Sequence, residues 1–176
     1  MDSLANYSIE FVKLKLGHNN FDYKISDAFF SLKENSLFQQ GSVNVHLNID
    51  RKERLINLDF KVDGIVKSEC DVCLDSLDLT VNGAETIVIK ISDEPKESDG
   101  EIIYLSPNDL SINVYDYIYE IICTCIPMVK TCENNANKVK ACNAEMLNFL
   151  SASSEENSNI EPQTDPRWDK LKKIKD

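Results

Sequence analysis

Histidine and the common catalytic motifs are scarce in this sequence. It contains only two histidines, His18 and His46, and neither lies beside a serine or cysteine in a nucleophile setting. Without a third histidine, most catalytic metal sites are excluded. There is no glycine-rich phosphate loop, no HExxH and no G-x-S-x-G motif, and no pair of carboxylates stands out. We therefore expect a protein that is not an enzyme and has no small-molecule substrate.

Long apolar runs and a targeting segment are also missing. The longest apolar runs are far too short to span a bilayer. The start of the chain, Met1-Asp2-Ser3-Leu4, lacks the basic stretch followed by an apolar stretch that marks a secretory signal. These absences predict a cytoplasmic protein without a membrane partner.

The chain has no excess of positive charge. It carries 19 Lys and Arg against 30 Asp and Glu, a formal net charge of −11. Proteins that bind duplexes normally show a basic footprint, because neutralising phosphates dominates their affinity. Contact with RNA would therefore need a local basic patch or a protein partner.

The sequence does contain the pattern of a β-rich domain. Hydrophobic residues make up 42% of 176 residues, enough for a core. Residues 42–49 alternate strictly, which places Val43, Val45, Leu47 and Ile49 on one face of a half-buried strand. A short helix is expected after Ser26, and Gly64 allows a bend. Further strands are predicted at 7–16, 54–62, 77–81, 87–91 and 101–105. Consecutive strands with short links predict an antiparallel meander.

Two helices are predicted in the second half of the chain. Residues 111–126 are apolar except for one narrow polar stripe, and Pro127 ends this long helix. Asn143 could cap the other helix. The fold class is therefore α+β, with the long helix packed on a curved antiparallel meander that is either open or barrel-like. Residues 1–150 form one domain, 151–164 a flexible linker rich in Ser, Glu and Asn, and 165–176 a basic amphipathic tail.

Six cysteines in a chain expected in the cytoplasm are buried thiols or metal ligands rather than a disulfide framework. Cys70 and Cys73 form a C-x-x-C pair, and Cys132 and Cys142 could complete a tetrahedral zinc site. The C-x9-C spacing of the second pair is not that of a standard zinc knuckle, so unrelated thiols remain an alternative. Bound zinc would be structural, since four protein ligands leave no open position for a substrate.

The C-terminal segment is the one local basic patch in the sequence. Trp168, Leu171 and Ile174 recur there at helical spacing, which predicts a short amphipathic helix. Lysine and arginine can meet phosphates, and tryptophan can stack on an unpaired base. The alternative is a solvated tail with an apolar anchor onto its own domain. The candidate residues for binding RNA or a partner are Arg167, Trp168, Lys170, Lys172, Lys173 and Lys175.

These motifs together resemble a known family. C-x-x-C-L at Cys70, Cys73 and Leu74 is followed by an acidic loop, a helix ending in Ile126-Pro127, and a C-terminal Asp-Pro-Arg with a Lys-Leu-Lys tail. The order is similar to the YceD family of bacteria and plastids, which is associated with accumulation of large-subunit ribosomal RNA. Residues 142–146 and 165–173 look like its Bacteroidota branch. The resemblance is best from about Cys70 onward.

The resemblance implies a non-enzymatic factor in the accumulation, processing or assembly of large-subunit (23S) ribosomal RNA. Its partners would be the large-subunit ribosomal RNA precursor or ribosome assembly proteins. The resemblance also carries over the Cys70 and Cys73 pair as a family feature. The alternative is a structural zinc-binding scaffold with protein partners only.

Overall fold

Strands dominate the computed structural model, which describes residues 3–93, 102–109, 111–137 and 141–158. The elements in this part of the chain are β1 (Ser8–Glu10), β2 (Gly17–Ile25), α1 (Asp27–Phe30), β3 (Gly41–Arg51), β4 (Leu55–Glu69), β5 (Ser76–Ile91), β6 (Ile102–Leu105), β7 (Ser111–Asn113), α2 (Tyr115–Thr124) and α3 (Ala144–Ser158). Short 3-10 turns occur at Leu4–Tyr7, Phe11–Lys13 and Cys132–Asn134. The predicted α+β class is confirmed.

The main sheet is curved and open, with the strand order β2-β3-β4-β5-β6. The three pairs formed by β2, β3, β4 and β5 are antiparallel, as the predicted meander requires. The apolar residues of 42–49 all lie on the buried face, and Leu47 and Ile49 are completely buried. This face and α2 enclose the core, while the Asn and Asp side chains of the same strands point outward.

Gly64 lies where β4 passes closest to β3. A Cβ at this position would meet the carbonyl oxygen of Ser42 and would lie 2.6 Å from the Cα of Val43. The glycine therefore permits close approach of two backbones, and β4 continues through the position where a bend was predicted.

The C-terminal edge of the sheet differs from the prediction. β6 pairs parallel to β5, with Val88 opposite Ile102, whereas the meander predicted an antiparallel neighbour. A parallel neighbour needs a long connection, and residues 92–101 are numerous enough to return the chain to the same end of the sheet. The strands predicted at 77–81 and 87–91 are one strand, because the polar residues between them pair with β4.

Two boundaries near the ends of elements were also predicted wrongly. Residues 7–16, predicted as one strand, form a strand only at Ser8–Glu10, and the next strand, β2, begins at Gly17. The helix predicted from 111 begins at Tyr115, because Ser111–Asn113 pair antiparallel with β1. The alternating burial of these three residues fits a strand as well as it fits a helical turn.

α2 covers the buried face of the sheet. Its inward side consists of Tyr115, Ile118, Tyr119, Ile121 and Ile122. Beyond its last turn, the Sγ of Cys125 lies where a Cβ on Gly83 of β5 would be. α2 therefore ends over the middle of β5, and the chain after it reaches the start of that strand, where the N–H of Ala136 donates to the carbonyl of Asp78.

α3 starts as predicted and ends later. Asn143 accepts a hydrogen bond from the backbone N–H of Glu145 at 3.0 Å, and the helix continues to Ser158. It thus extends into the segment 151–164 that was predicted to be a linker, because Ala152, Glu155 and Glu156 are good helix formers. The rest of the predicted linker and the tail 165–176 lie outside the described residues. None of the described helices is long and apolar enough to cross a membrane.

Candidate metal centre

The four predicted cysteines lie together at one end of the sheet. The Sγ atoms of Cys70, Cys73, Cys132 and Cys142 all lie within 4.8 Å of one another, and the first three residues are buried. The Sγ atoms of Cys73 and Cys132 are 3.4 Å apart. A tetrahedral site with metal–sulfur bonds of about 2.3 Å places its sulfurs about 3.8 Å apart. The observed distances lie within about 1 Å of that arrangement.

The hairpin between β4 and β5 positions the first pair of cysteines. Cys70 follows β4 directly, and its backbone N–H donates to the carbonyl of Asp75 at 2.8 Å. Leu74 donates to the carbonyl of Cys70 at 2.9 Å, which closes the turn. The backbone N–H of Val72 points at the Sγ of Cys70, 3.4 Å away. A donor aimed at sulfur stabilises a thiolate there, as a metal ligand requires.

Hydrogen bonds to the start of β5 position Cys132. Asn135 forms a bridge with Leu79, and its side-chain oxygen accepts from the backbone N–H of Asp78 at 2.9 Å. The N–H of Ala136 donates to the carbonyl of Asp78 at 2.6 Å. The segment after α2 is therefore fixed to the edge of β5 by its own backbone, and Cys132 faces the hairpin cysteines as a result.

Asp71 and Lys130 join the two halves of the site. The backbone N–H of Lys130 donates to the carboxylate of Asp71 at 2.7 Å, and the N–H of Asp71 donates back to the carbonyl of Lys130 at 2.8 Å. The Lys130 ammonium lies 3.4 Å from the same carboxylate. Nothing in the sequence links these residues, which are 59 positions apart, so sequence reasoning missed them.

The thiols of the cluster differ in how readily they ionise. Burial opposes ionisation of Cys70, but the N–H groups of Cys73 and Val72 and the neighbouring thiols outweigh it and lower its pKa to about 6. Burial raises the pKa of Cys132, and the other thiols of the cluster raise it further. The Cys132 thiol lowers the pKa of Cys142, yet burial and the remaining thiols leave that pKa raised.

This arrangement could hold one metal ion. In the part of the chain that the structure describes, no polar or charged side chain is fully buried, so no protein cation lies inside to neutralise thiolates there. A bound cation would favour the deprotonated form of all four cysteines. Four sulfur ligands would also fill a tetrahedral shell and leave no open position for a substrate.

The other predicted site residues are not among those that the structure describes. The basic candidates belong to the tail 165–176, outside the described residues, and the structure places none of them. They are Arg167, Trp168, Lys170, Lys172, Lys173 and Lys175.

A comparison with family models gives a match to most of the chain. Residues 58–175 match the model described as Large ribosomal RNA subunit accumulation protein YceD. The match begins within β4 and includes all four cysteines, α2, α3 and the basic tail. Comparisons with curated proteins and with solved structures give no significant match.

Proposed function

Because the chain belongs to the YceD family of large ribosomal RNA subunit accumulation proteins, we propose that it supports accumulation of large-subunit ribosomal RNA by binding, without catalysis. It binds the RNA precursor or a ribosome assembly partner in the cytoplasm. The family match carries the proposal, since it covers residues 58–175 and therefore includes the cysteine cluster and the tail.

The metal of the cluster is zinc in this proposal. Thiolates are soft ligands that select zinc among the common divalent metals, and four cysteines are a typical structural set. Cys70 and Cys73 hold it from the hairpin, and Cys132 and Cys142 from the segments on either side of residues 133–141. The ion stabilises the fold where α3 leaves the domain, and its chemistry is structural.

The tail is the surface that contacts RNA or a partner. Its five cations are Arg167, Lys170, Lys172, Lys173 and Lys175, whereas the whole chain has a net charge of −11. Phosphates would be repelled by most of an acidic surface, so the contact is confined to a narrow basic segment. A protein partner would be equally compatible with one basic segment on an acidic chain. This charge pattern therefore also fits the alternative function, a zinc-binding scaffold with protein partners only.

The experiment replaces the native protein in cells by the variant Lys172→Glu/Lys173→Glu. We expect large-subunit ribosomal RNA to fall relative to small-subunit ribosomal RNA, and the variant to lose its association with large-subunit particles on sedimentation. The control is Lys13→Glu/Lys15→Glu, which makes the same change in charge at two exposed lysines before β2.

Two outcomes oppose the proposal. Unchanged RNA levels and unchanged sedimentation would favour the scaffold with protein partners only. Equal loss in the control variant would show that net charge, and not the tail, is responsible.

A further inference from the structure

The large apolar side chains that face solvent are concentrated around the cysteine cluster. Ten such side chains are exposed in the described residues, and eight belong to segments that reach the cluster or line the cavity beside it. We call these eight the apolar surface: Leu37, Val72, Leu74, Met128, Val129, Leu147, Phe149 and Leu150. The other two, Leu4 and Leu16, lie near the N-terminus. Exposed apolar side chains grouped in this way indicate an interaction site.

Two contacts bring members of the apolar surface together. Leu37 and Leu74 line one cavity of about 480 Å³ beside Cys70. The bonds between Asp71 and Lys130 hold together the two segments that carry Val72 and Val129, since each of these residues adjoins one member of the bonded pair. The C-x-x-C turn and the loop after α2 therefore carry their exposed apolar side chains on segments that are bonded to each other.

The backbone conformation of Leu74 indicates that the apolar surface has a function. Its φ is +61°, in the left-handed region that leucine rarely adopts and glycine adopts freely. Its side chain is nevertheless 59% exposed, so packing in the core does not compensate the strain. A strained residue that is kept with its side chain in solvent indicates a use for that side chain.

We infer that the apolar surface is the docking site of this chain's own C-terminal segment, residues 165–176. That segment contains Trp168, Leu171 and Ile174 at spacings of three, which places them on one side of a helix. Lys170, Lys172 and Lys173 fall away from that side. Docking therefore buries the apolar side and leaves these three lysines facing outward.

The segment is tethered at the surface on which it docks. α3 begins two residues after Cys142, and its 15 residues span about 22 Å. The residues from 159 to 167 can extend about 30 Å, so Trp168 reaches the apolar surface even if α3 points straight away from it. Such a tether gives a high effective concentration, which favours this occupant over a separate molecule.

The charges of the two partners are complementary. Five carboxylates lie within three positions of the four cysteines, against three lysines: Glu69, Asp71, Asp75, Glu133 and Glu145, against Lys67, Lys130 and Lys140. The segment 165–176 carries five cations and three carboxylates. The surround of the cysteines therefore carries a net charge of −2 and the segment one of +2, and this overall attraction favours docking in the same sense as the apolar contacts.

Trp168 is the only tryptophan of the chain, so its fluorescence reports on this segment alone. The full chain is compared with a synthetic peptide of residues 165–176 in emission wavelength and in quenching by acrylamide, a neutral quencher. We expect emission at shorter wavelength and weaker quenching in the full chain. Leu74→Gly and Val129→Asp are expected to shift both readouts toward those of the peptide.

The controls separate this inference from its alternatives. Leu16→Asp changes another exposed leucine, which is 69% exposed and far from the cluster in sequence, and is expected to leave the Trp168 signal unchanged. Leu74→Gly places glycine at a φ that suits it, so this variant keeps the fold, as circular dichroism would show.

Emission equal to that of the peptide, or a signal unchanged in both surface variants, would overturn the inference. A signal lost on dilution would do the same and assign the contact to a second copy. No RNA enters the measurement, so the outcome is independent of the proposed function.

Discussion

The Sγ atoms of Cys73 and Cys132 lie 3.4 Å apart, although 59 positions separate the two residues in the sequence. Their proximity does not depend on the cysteines alone. Asn135 and Ala136 bond to Asp78 at the beginning of β5, and Lys130 bonds to Asp71 in the preceding turn. Backbone contacts on both sides of Cys132 therefore preassemble the site, so a metal would bind groups that are already close together.

Asp71 should support the metal centre without touching the metal. Asp71→Ala removes the acceptor of the Lys130 N–H and frees the loop that carries Cys132. We expect metal affinity to fall by about 10- to 100-fold, as is common when an outer partner of a ligand is removed. Competition with a chromophoric chelator measures the change.

Asp63→Ala is the matched control for this variant, because Asp63 accepts its hydrogen bond from Asn82 on the outer face of the sheet. Equal affinity in Asp71→Ala and the wild-type protein would show that the Asp71–Lys130 contact does not hold the site.

Metal binding should strengthen as the pH rises. Cysteine binds metal as the thiolate, so each thiol that still carries its proton must release it on binding. Burial keeps the pKa of both Cys132 and Cys142 raised, so at least these two protons are released. Affinity should then rise by at least about a hundredfold per pH unit around neutrality. The same chelator competition at several pH values, corrected for protonation of the chelator, tests this; an affinity independent of pH would contradict four thiolate ligands.

Among the four glycines in the described part of the chain, Gly64 should be the one least tolerant of a side chain. In Gly64→Ala the added Cβ meets the backbone of Ser42 and Val43, which cannot move without separating β3 from β4. We expect a loss of about 2–4 kcal/mol in the free energy of unfolding, measured with urea.

Gly17→Ala is the comparison for this variant. Nothing lies within 4 Å of its Cβ, but its φ is +87°, so only backbone strain of about 1 kcal/mol is expected. If the two variants are equally stable, the close approach of β3 and β4 is not as the structure shows it.

The sequence predicted those helices and strands that depend on residues close together in the chain. The alternation of residues 42–49 and Asn143 before α3 each reflect side chains that act within a few positions. The parallel pairing of β6 with β5 and the pairing of Ser111–Asn113 with β1 depend on distant partners. Short segments such as Ser8–Glu10 become strands only because such a partner is present, and periodicity cannot show this.

The candidate site divides in the same way. The C-x-x-C motif identified Cys70 and Cys73 directly, and chemistry suggested Cys132 and Cys142, which the structure brings to the same place. The bond between Asp71 and Lys130 and the exposed, strained Leu74 have no counterpart in any local pattern. They appear only when the hairpin and the loop after α2 are folded against each other.

Metal content tests the central claim most directly, because the account rests on four cysteines acting as one centre. Protein purified without added metal is analysed for its elements, together with Cys132→Ser and with Cys123→Ser, which removes a half-buried thiol outside the cluster. The account predicts one zinc per chain in the wild type and in Cys123→Ser, and none in Cys132→Ser. A wild-type protein without metal, or a Cys132→Ser variant that keeps its zinc, would contradict it.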